Sequence, residues 1–414
     1  MREFDVAIAG AGLAGSIIAS ALGRKGHSVA IVDPNDVYPD EFRCEKVNFD
    51  QIESLAKSGL GDAVLAAATH DKTAWVSRLG LLIEKRPSDQ LGIDYGRLVN
   101  TLRAEMPPDV AVLRGKVTAI SNGDELQRVT LSTGETITAR LLVIASGLSN
   151  SLRQSLGIER DDISRCHSVT FGFDVEPVGR DAFPFRALTH YSEDPQSGMA
   201  FLTLFPIGTR MRANLFVYRD LDDPWLRAFR AAPEETMNAA MPRLERLTGP
   251  YRVSSPIKVR PIDLYKTLGY RQPGVVLVGD AFSTACPAAG TGARKAMVDA
   301  ERLCHGYVSQ WLATPGMGVE KISQFYDDGI KVGSDRKSLA LAMRIKAMSI
   351  DTSAAWWLRR WASVGVGLTR WGVHSAREAR GRFVTAARSA HVEPGDPPAV
   401  LGGASEAGSP KPVQ

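Results

Sequence analysis

Gly10-Ala11-Gly12-Leu13-Ala14-Gly15 is the stretch that decides the fold. Before it stands Phe4-Asp5-Val6-Ala7-Ile8-Ala9, which reads as a short buried strand. After it, residues 13–25 carry apolar groups at helical spacing and stop at Gly26. Each glycine has a task in such a strand–turn–helix. Gly10 permits the tight turn, Gly12 lets a pyrophosphate approach the backbone, and Gly15 lets helix and strand pack closely. The helix start, with Leu13 and Ala14, then turns free N–H groups and a positive dipole end toward the phosphates. Val29-Ala30-Ile31-Val32 reads as the next strand, and Asp33 at its end is placed to accept from a ribose hydroxyl.

A second stretch lies far along the chain. Val275-Val276-Leu277-Val278 reads as a buried strand that delivers Gly279-Asp280-Ala281-Phe282, then Pro287-Ala288-Ala289-Gly290-Thr291-Gly292. Asp280 is expected at the carboxyl edge of a strand, where open α/β sheets place ligands. Gly290, Thr291 and Gly292 open a helix whose N-terminus suits the negative charge of a reduced flavin. Together the two stretches imply one large nucleotide cofactor gripped at both ends, FAD.

Composition narrows the rest. A chain of 414 residues predicts two domains plus extensions. No apolar run reaches membrane-spanning length. Residues 6–22 are mostly apolar, but Glu3 and Asp5 beside Arg2 do not match a secretory leader. The four cysteines (Cys44, Cys166, Cys286, Cys304) are scattered and the seven histidines lack ligand spacing. No disulfide framework or metal site is expected, and the predicted setting is cytoplasmic, with contact at a membrane surface left open. Charge is uneven: residues 336–388 hold eleven Lys/Arg against two Asp/Glu, a local +9, so the remainder of this +4 chain is −5. Trp356-Trp357-Leu358-Arg359-Arg360-Trp361 sits in that segment. Its pattern suits packing on the rest of the chain or peripheral contact of 353–388 with a membrane surface. No motif supports nucleic-acid binding.

The order of elements predicts an α/β chain. Helices are expected near 50–58 and 94–105, strands at 110–113, 117–120 and 141–145, and a hairpin over 129–137. Between 166 and 218 the period changes to two, which predicts a second sheet. Helices follow near 223–247, 292–311 and throughout 318–388, and the tail from 392 reads as disordered. The expected domains are 1–160 with 255–315 for the cofactor, 161–254 for the substrate, a helical region 316–390, and the tail 391–414.

On its two glycine stretches the chain resembles the para-hydroxybenzoate-hydroxylase-type FAD-dependent oxidoreductases. These include aromatic hydroxylases, ubiquinone-pathway hydroxylases, flavin halogenases and geranylgeranyl reductases. The likeness spans roughly residues 1–310. It implies a Rossmann-like FAD domain with an inserted β-sheet substrate domain and a helical C-terminal extension. It also implies that Asp280 holds the ribityl chain, that Pro287, Gly290 and Gly292 lie along the isoalloxazine, and that Arg43 and Val117 are among the residues touching the cofactor. The implied activity is monooxygenation, with reduced flavin and dioxygen forming a hydroperoxide that hydroxylates or epoxidises an apolar or aromatic small molecule. The alternatives are a flavin-dependent reductase or dehydrogenase of an isoprenoid-like substrate, and a halogenase. Electrons would come from NAD(P)H or a partner flavin reductase. Phe171, Phe173, Phe201, Leu204 and Phe205 are the candidate substrate pocket, although alternate residues of a strand must face away. No general base is assigned.

The chain departs from the family pattern at three points. After the strand at 141–145, Ser146 stands where hydroxylases that bind NAD(P)H directly carry an aspartate, while Ser151 and Arg153 are kept. Tyr95 occupies the place of an arginine near the flavin, with Arg97 two residues on. Arg294 and Lys295 fall in the first turn of a helix, where cations oppose the dipole, so an anion beside them is one expectation and a solvated helix face the other. Cys44 and Cys286 are read as buried packing residues.

Overall fold

The computed structural model describes residues 1–43, 45–367 and 369. The chain divides into a unit of Met1–Gly367 and a second of Leu368–Gln414. Cys44 and the expected tail, together with most of 368–388, lie outside the described residues.

The opening strand, Arg2–Ala9, is the centre of a seven-stranded sheet. It pairs in parallel with Val29–Asp33 on one side and with Thr136–Ile144 on the other. Ala111–Arg114 continues the first side in parallel, and Gln127–Leu131 and Val117–Ser121 extend the second as antiparallel strands. Val275–Leu277 returns to pair in parallel with the end of Thr136–Ile144. This brings the two glycine stretches to one sheet edge. Val6, Ile8, Ile31, Leu142, Ile144 and Val276 are fully buried there, each contributing about 1.5–3 kcal/mol of transfer free energy. The helix Leu13–Arg24 closes one side of this core.

An eight-stranded sheet runs Tyr251–Val253, Glu159–Pro177, Arg210–Val217, Met199–Ile207, Ala187–Tyr191, Thr73–Arg78 and Leu81–Pro87, with Lys258–Leu268 also paired to Glu159–Pro177. Three of its strands, Thr73–Arg78, Leu81–Pro87 and Lys258–Leu268, fall in segments that the sequence reading places with the cofactor domain. Thr73–Arg78 pairs in parallel with Ala187–Tyr191, because Trp75 reaches the apolar side of the sheet and packs on Phe185. Lys258–Leu268 follows the long strand Glu159–Pro177 rather than the first sheet.

The long helix expected over 292–311 is three pieces: Gly292–Arg302, a π-helical turn at Leu303–Tyr307, and Val308–Leu312. The region after 318 holds the helices Val319–Tyr326 and Gly329–Ile350, then helix over 354–367. Asp328 caps the second, accepting from the backbone of Ile330 and Lys331 at 2.9 Å each. That helix packs on Gly292–Arg302 and on the turn Pro287–Ala289.

Candidate active site

The first glycine turn is held tightly by its surroundings. Gly10 has φ +105°, and a Cβ there would stand 2.7 Å from the Ala145 carbonyl oxygen. A Cβ on Gly15 would overlap the Gly10 carbonyl oxygen, far inside van der Waals contact. Gly12, by contrast, faces space, with Tyr95 Oη the nearest atom at 3.8 Å. Asp33 Oδ2 accepts from Ala11 N at 2.9 Å. Arg103 Nη2 lies 3.1 Å from Asp33 Oδ1, and Arg103 Nε donates to the Ala11 carbonyl at 2.8 Å. Asp33 thus braces the turn and also faces the cavity.

The second turn is braced from below. Gly279 N donates to Asp299 Oδ2 at 2.8 Å, and Tyr265 Oη donates to the Asp280 carbonyl at 2.8 Å. Fully buried Arg153 donates to Tyr265 Oη at 2.7 Å and to the Ala281 carbonyl at 3.0 Å. Arg43 Nη1 approaches Asp280 Oδ2 at 3.4 Å, and its Nε lies 2.7 Å from Glu41 Oε1. Burial raises the Glu41 carboxyl, but Arg43, Tyr38 and Arg260 outweigh it and hold the group below its ordinary value.

A cavity of about 490 Å3 connects these turns. One part of its wall is Gly10, Gly12, Leu13, Ala14, Asp33, Arg43, Gly279, Asp280, Pro287, Gly290 and Gly292. The other is the face of the eight-stranded sheet carrying Thr170, Thr189, Tyr191, Phe201, Thr203, Asn214 and Phe216, with Glu45 and Lys46 at its margin. Phe201 and Phe216 pack at 4.7 Å between ring centroids, and Tyr191 meets Phe201 at 5.4 Å.

Of the five candidate pocket residues, only Phe201 lines this cavity. Phe171, Phe173 and Leu204 project from the opposite face into a separate core, where Phe171 and Phe173 meet Phe229. Alternation explains the difference: the predominantly apolar face of the sheet packs under the helix Pro224–Ala231, and the mixed face turns to the cavity. Phe205 shares the cavity-side parity of Phe201, but it is buried with Ala187 and Ile207 beneath Lys46.

Other expected residues are placed differently. Val117 packs against the core at the start of its strand and does not line the cavity. Thr291 also lies outside the lining, and its hydroxyl is 2.6 Å from that of Ser338. Arg294 pairs with Asp50, and Lys295 with Asp335 at 2.9 Å. Protein carboxylates therefore meet both cations in place of a bound anion; Arg294 lies on an exposed helix face, as one of the two expectations had it, whereas Lys295 is buried. Cys286 is fully buried, as expected.

The sequence reading missed Glu45, Arg212, Asn214 and Thr203. Arg212 and Asn214 alternate with Ala213 and Leu215 on a buried strand, and two polar residues at alternate positions were the available signal. Burial lifts the Glu45 carboxyl to about 7, with Arg212 opposing and Asp94 reinforcing the rise. Burial also lowers the Lys46 ammonium to about 8.

The cavity fits a flavin nucleotide. The Cβ position of Gly290 is open, and at Gly292 the nearest neighbour is 3.7 Å away. The hydroxyls of Ser146 and Thr170, which line the cavity, are buried without a hydrogen-bond partner among the described residues. The first helical N–H groups after Gly12 have no intrahelical acceptor and face the same space.

Comparison with known proteins agrees. The FAD binding domain family matches residues 3–309. The 3-demethoxyubiquinol 3-hydroxylase of Escherichia coli (strain K12) is 26% identical over 342 residues, covering 75% of this chain and 83% of that protein. The squalene monooxygenase of Rattus norvegicus is 26% identical over 319 residues, covering 71% of this chain but 53% of that protein. The crystal structure of p-nitrophenol 4-monooxygenase from Pseudomonas putida DLL-E4 shares the fold at a TM-score of 0.72 and 18% identity, covering 92% of this chain and 98% of that one. The chain belongs to the FAD binding domain family, and it is an FAD-dependent oxidoreductase of the monooxygenase class.

Proposed function

We propose that this protein inserts one oxygen atom of dioxygen into an aromatic small molecule held against the mixed face of the eight-stranded sheet. The observation that carries this reading is the continuity of one cavity from Gly12 and Asp33, past Asp280, to Tyr191, Phe201 and Phe216. In this reading the turn Gly10–Gly12 and the helix start at Leu13–Ala14 take the pyrophosphate, and Asp33 takes a ribose hydroxyl. Asp280, fixed by Tyr265 and Arg153, takes the ribityl chain, and the segment Pro287–Gly292 lies along the ring system. Bound FAD supplies the oxygen-activating redox chemistry. The protein orients cofactor and substrate, and its aromatic wall keeps water from the reacting face.

The test is direct. The purified protein should be yellow, or become so with FAD, and reduced enzyme should consume dioxygen in step with product from an aromatic panel. Turnover that proceeds unchanged without dioxygen would overturn the reading. Bleaching by NADH or NADPH alone identifies the electron source, and its absence points to a separate flavin reductase, in keeping with Ser146. The exposed Trp357, Leu358 and Trp361 beside Arg359 support a further contact with an anionic membrane surface. Failure to co-sediment with phosphatidylserine-containing vesicles removes that contact.

A further inference from the structure

Glu45 stands where the cavity meets a cluster of charge that is buried at Arg212 and Asp174 and reaches solvent at Arg210 and Asp94. Arg212 Nε lies 3.2 Å from Asp174 Oδ1 and 3.6 Å from Glu45 Oε2, and Arg212 Nη2 is 3.5 Å from Asp94 Oδ1. Arg210 bonds Asp174 at 3.0 Å and Asp94 at 2.8 Å. Three carboxylates thus face two guanidinium groups. Lys258, the next cation, has its own partner in Asp40. When Glu45 is ionised the cluster carries one more negative charge than positive, and its side chain (4% exposed) meets water only through the cavity. Asn214, with its amide nitrogen toward Glu45, donates to Oε2 at 2.9 Å. Both residues line the cavity, and Thr203 lies on the same wall.

We propose that Glu45 determines specificity, by accepting a hydrogen bond from an O–H or N–H donor carried on the ring of the aromatic substrate. This rests on the function proposed above. A donor brought into the cavity satisfies the surplus carboxylate at the moment that water is displaced. A ring of the same shape without a donor leaves the carboxylate desolvated and unpaired, which is the arrangement that discriminates most strongly between otherwise similar ligands. Tyr191, Phe201 and Phe216 hold the ring and do not distinguish the two. The chemistry is shared by a hydroxyl and an amino group, and the test separates them.

The probes are phenol, aniline, anisole and toluene, with binding to the holoenzyme read by calorimetry. Both donors should bind wild type at least about tenfold tighter than anisole and toluene. In Glu45→Leu the preference should collapse to within about threefold, with toluene binding retained. Glu45→Gln keeps an acceptor oxygen of the same size and should keep part of the preference. In wild type the preference should grow from about pH 6 to pH 8 as the carboxyl ionises, and in Glu45→Gln it should be flat. Preference for phenol alone assigns the donor as a hydroxyl, and for aniline alone as an amine. Equal binding of all four probes, no binding of either donor, or an undiminished preference in Glu45→Leu would each overturn the proposal. Because binding is read without turnover, failure of oxygen insertion alone would refute the proposed function and leave this result standing.

Discussion

Lys331 is buried at 1% exposure, with Nζ 3.0 Å from Asp299 Oδ1 and 3.1 Å from Asp335 Oδ2. Burial lowers its pKa, but the two carboxylates outweigh that and raise it, so the ammonium stays charged. Lys295 completes a neutral group of two lysines and two aspartates. Replacing Lys331 by Met keeps an unbranched side chain of similar length and removes the charge, together with the contact of the ammonium nitrogen with the Phe282 ring at 4.0 Å from its centroid. One buried carboxylate is then unmatched, and the expected loss of stability is about 3–5 kcal/mol. Asp299 is the residue that accepts from Gly279 N, so the loss should extend to cofactor retention. Adding Asp299→Asn removes the surplus charge while its amide oxygen can still accept from Gly279. The double variant should therefore recover at least about 2 kcal/mol over Lys331→Met, a coupling of the size measured within buried charge networks. Urea unfolding of the full chain, with bound flavin measured in parallel, reads both effects. A Lys331→Met loss under about 1 kcal/mol, or a double variant no more stable than the single, would refute the reasoning.

Three more outcomes follow from particular contacts. Glu45 titrates near 4.5 in the unfolded chain and at about 7 when folded. Between those values the unfolded state binds fewer protons, so this group's contribution to stability falls by about 3 kcal/mol as pH rises through the window and is constant above it; Glu45→Gln should remove that slope in pH-dependent melting curves. Phe171→Ala should cost about 3–5 kcal/mol with little change in aromatic-ligand affinity, whereas Phe216→Ala should weaken ligand binding, as paired melting and calorimetric measurements will tell. Gly15→Ala forces the helix Leu13–Arg24 off the Gly10 carbonyl and should abolish FAD retention on gel filtration even if the protein remains folded.

Much of the cofactor cradle was legible because backbone geometry demanded it. Gly10 needs its positive φ, Gly15 tolerates no side chain, and Asp280 must follow a buried strand, so residue type alone located them. Which face of the eight-stranded sheet borders the cavity was hidden for an equally physical reason. Period-two alternation says that two faces exist but not which one meets the ligand. The apolarity of Phe171 and Phe173 is what packing under a helix selects. Arg294 and Lys295 looked like an anion site because their partners, Asp50 and Asp335, lie far away in sequence. The hairpin of Thr73–Arg78 and Leu81–Pro87 carried no sign of its parallel neighbour, since nothing local encodes a partner more than 100 residues on.

That hairpin bears on how the chain is made. The eight-stranded sheet draws on residues 73–87 and 258–268, and the seven-stranded sheet is finished only by 275–277. As the chain leaves the ribosome, Thr136–Ile144 and Thr73–Arg78 emerge long before the strands that cover them. Each exposes a bare strand edge for the time taken to synthesise more than a hundred residues. Neither sheet can close as an autonomous early unit, so the interval before residue 277 appears is when this protein most needs a chaperone. Truncations ending before that residue should aggregate rather than yield a half-sized flavoprotein.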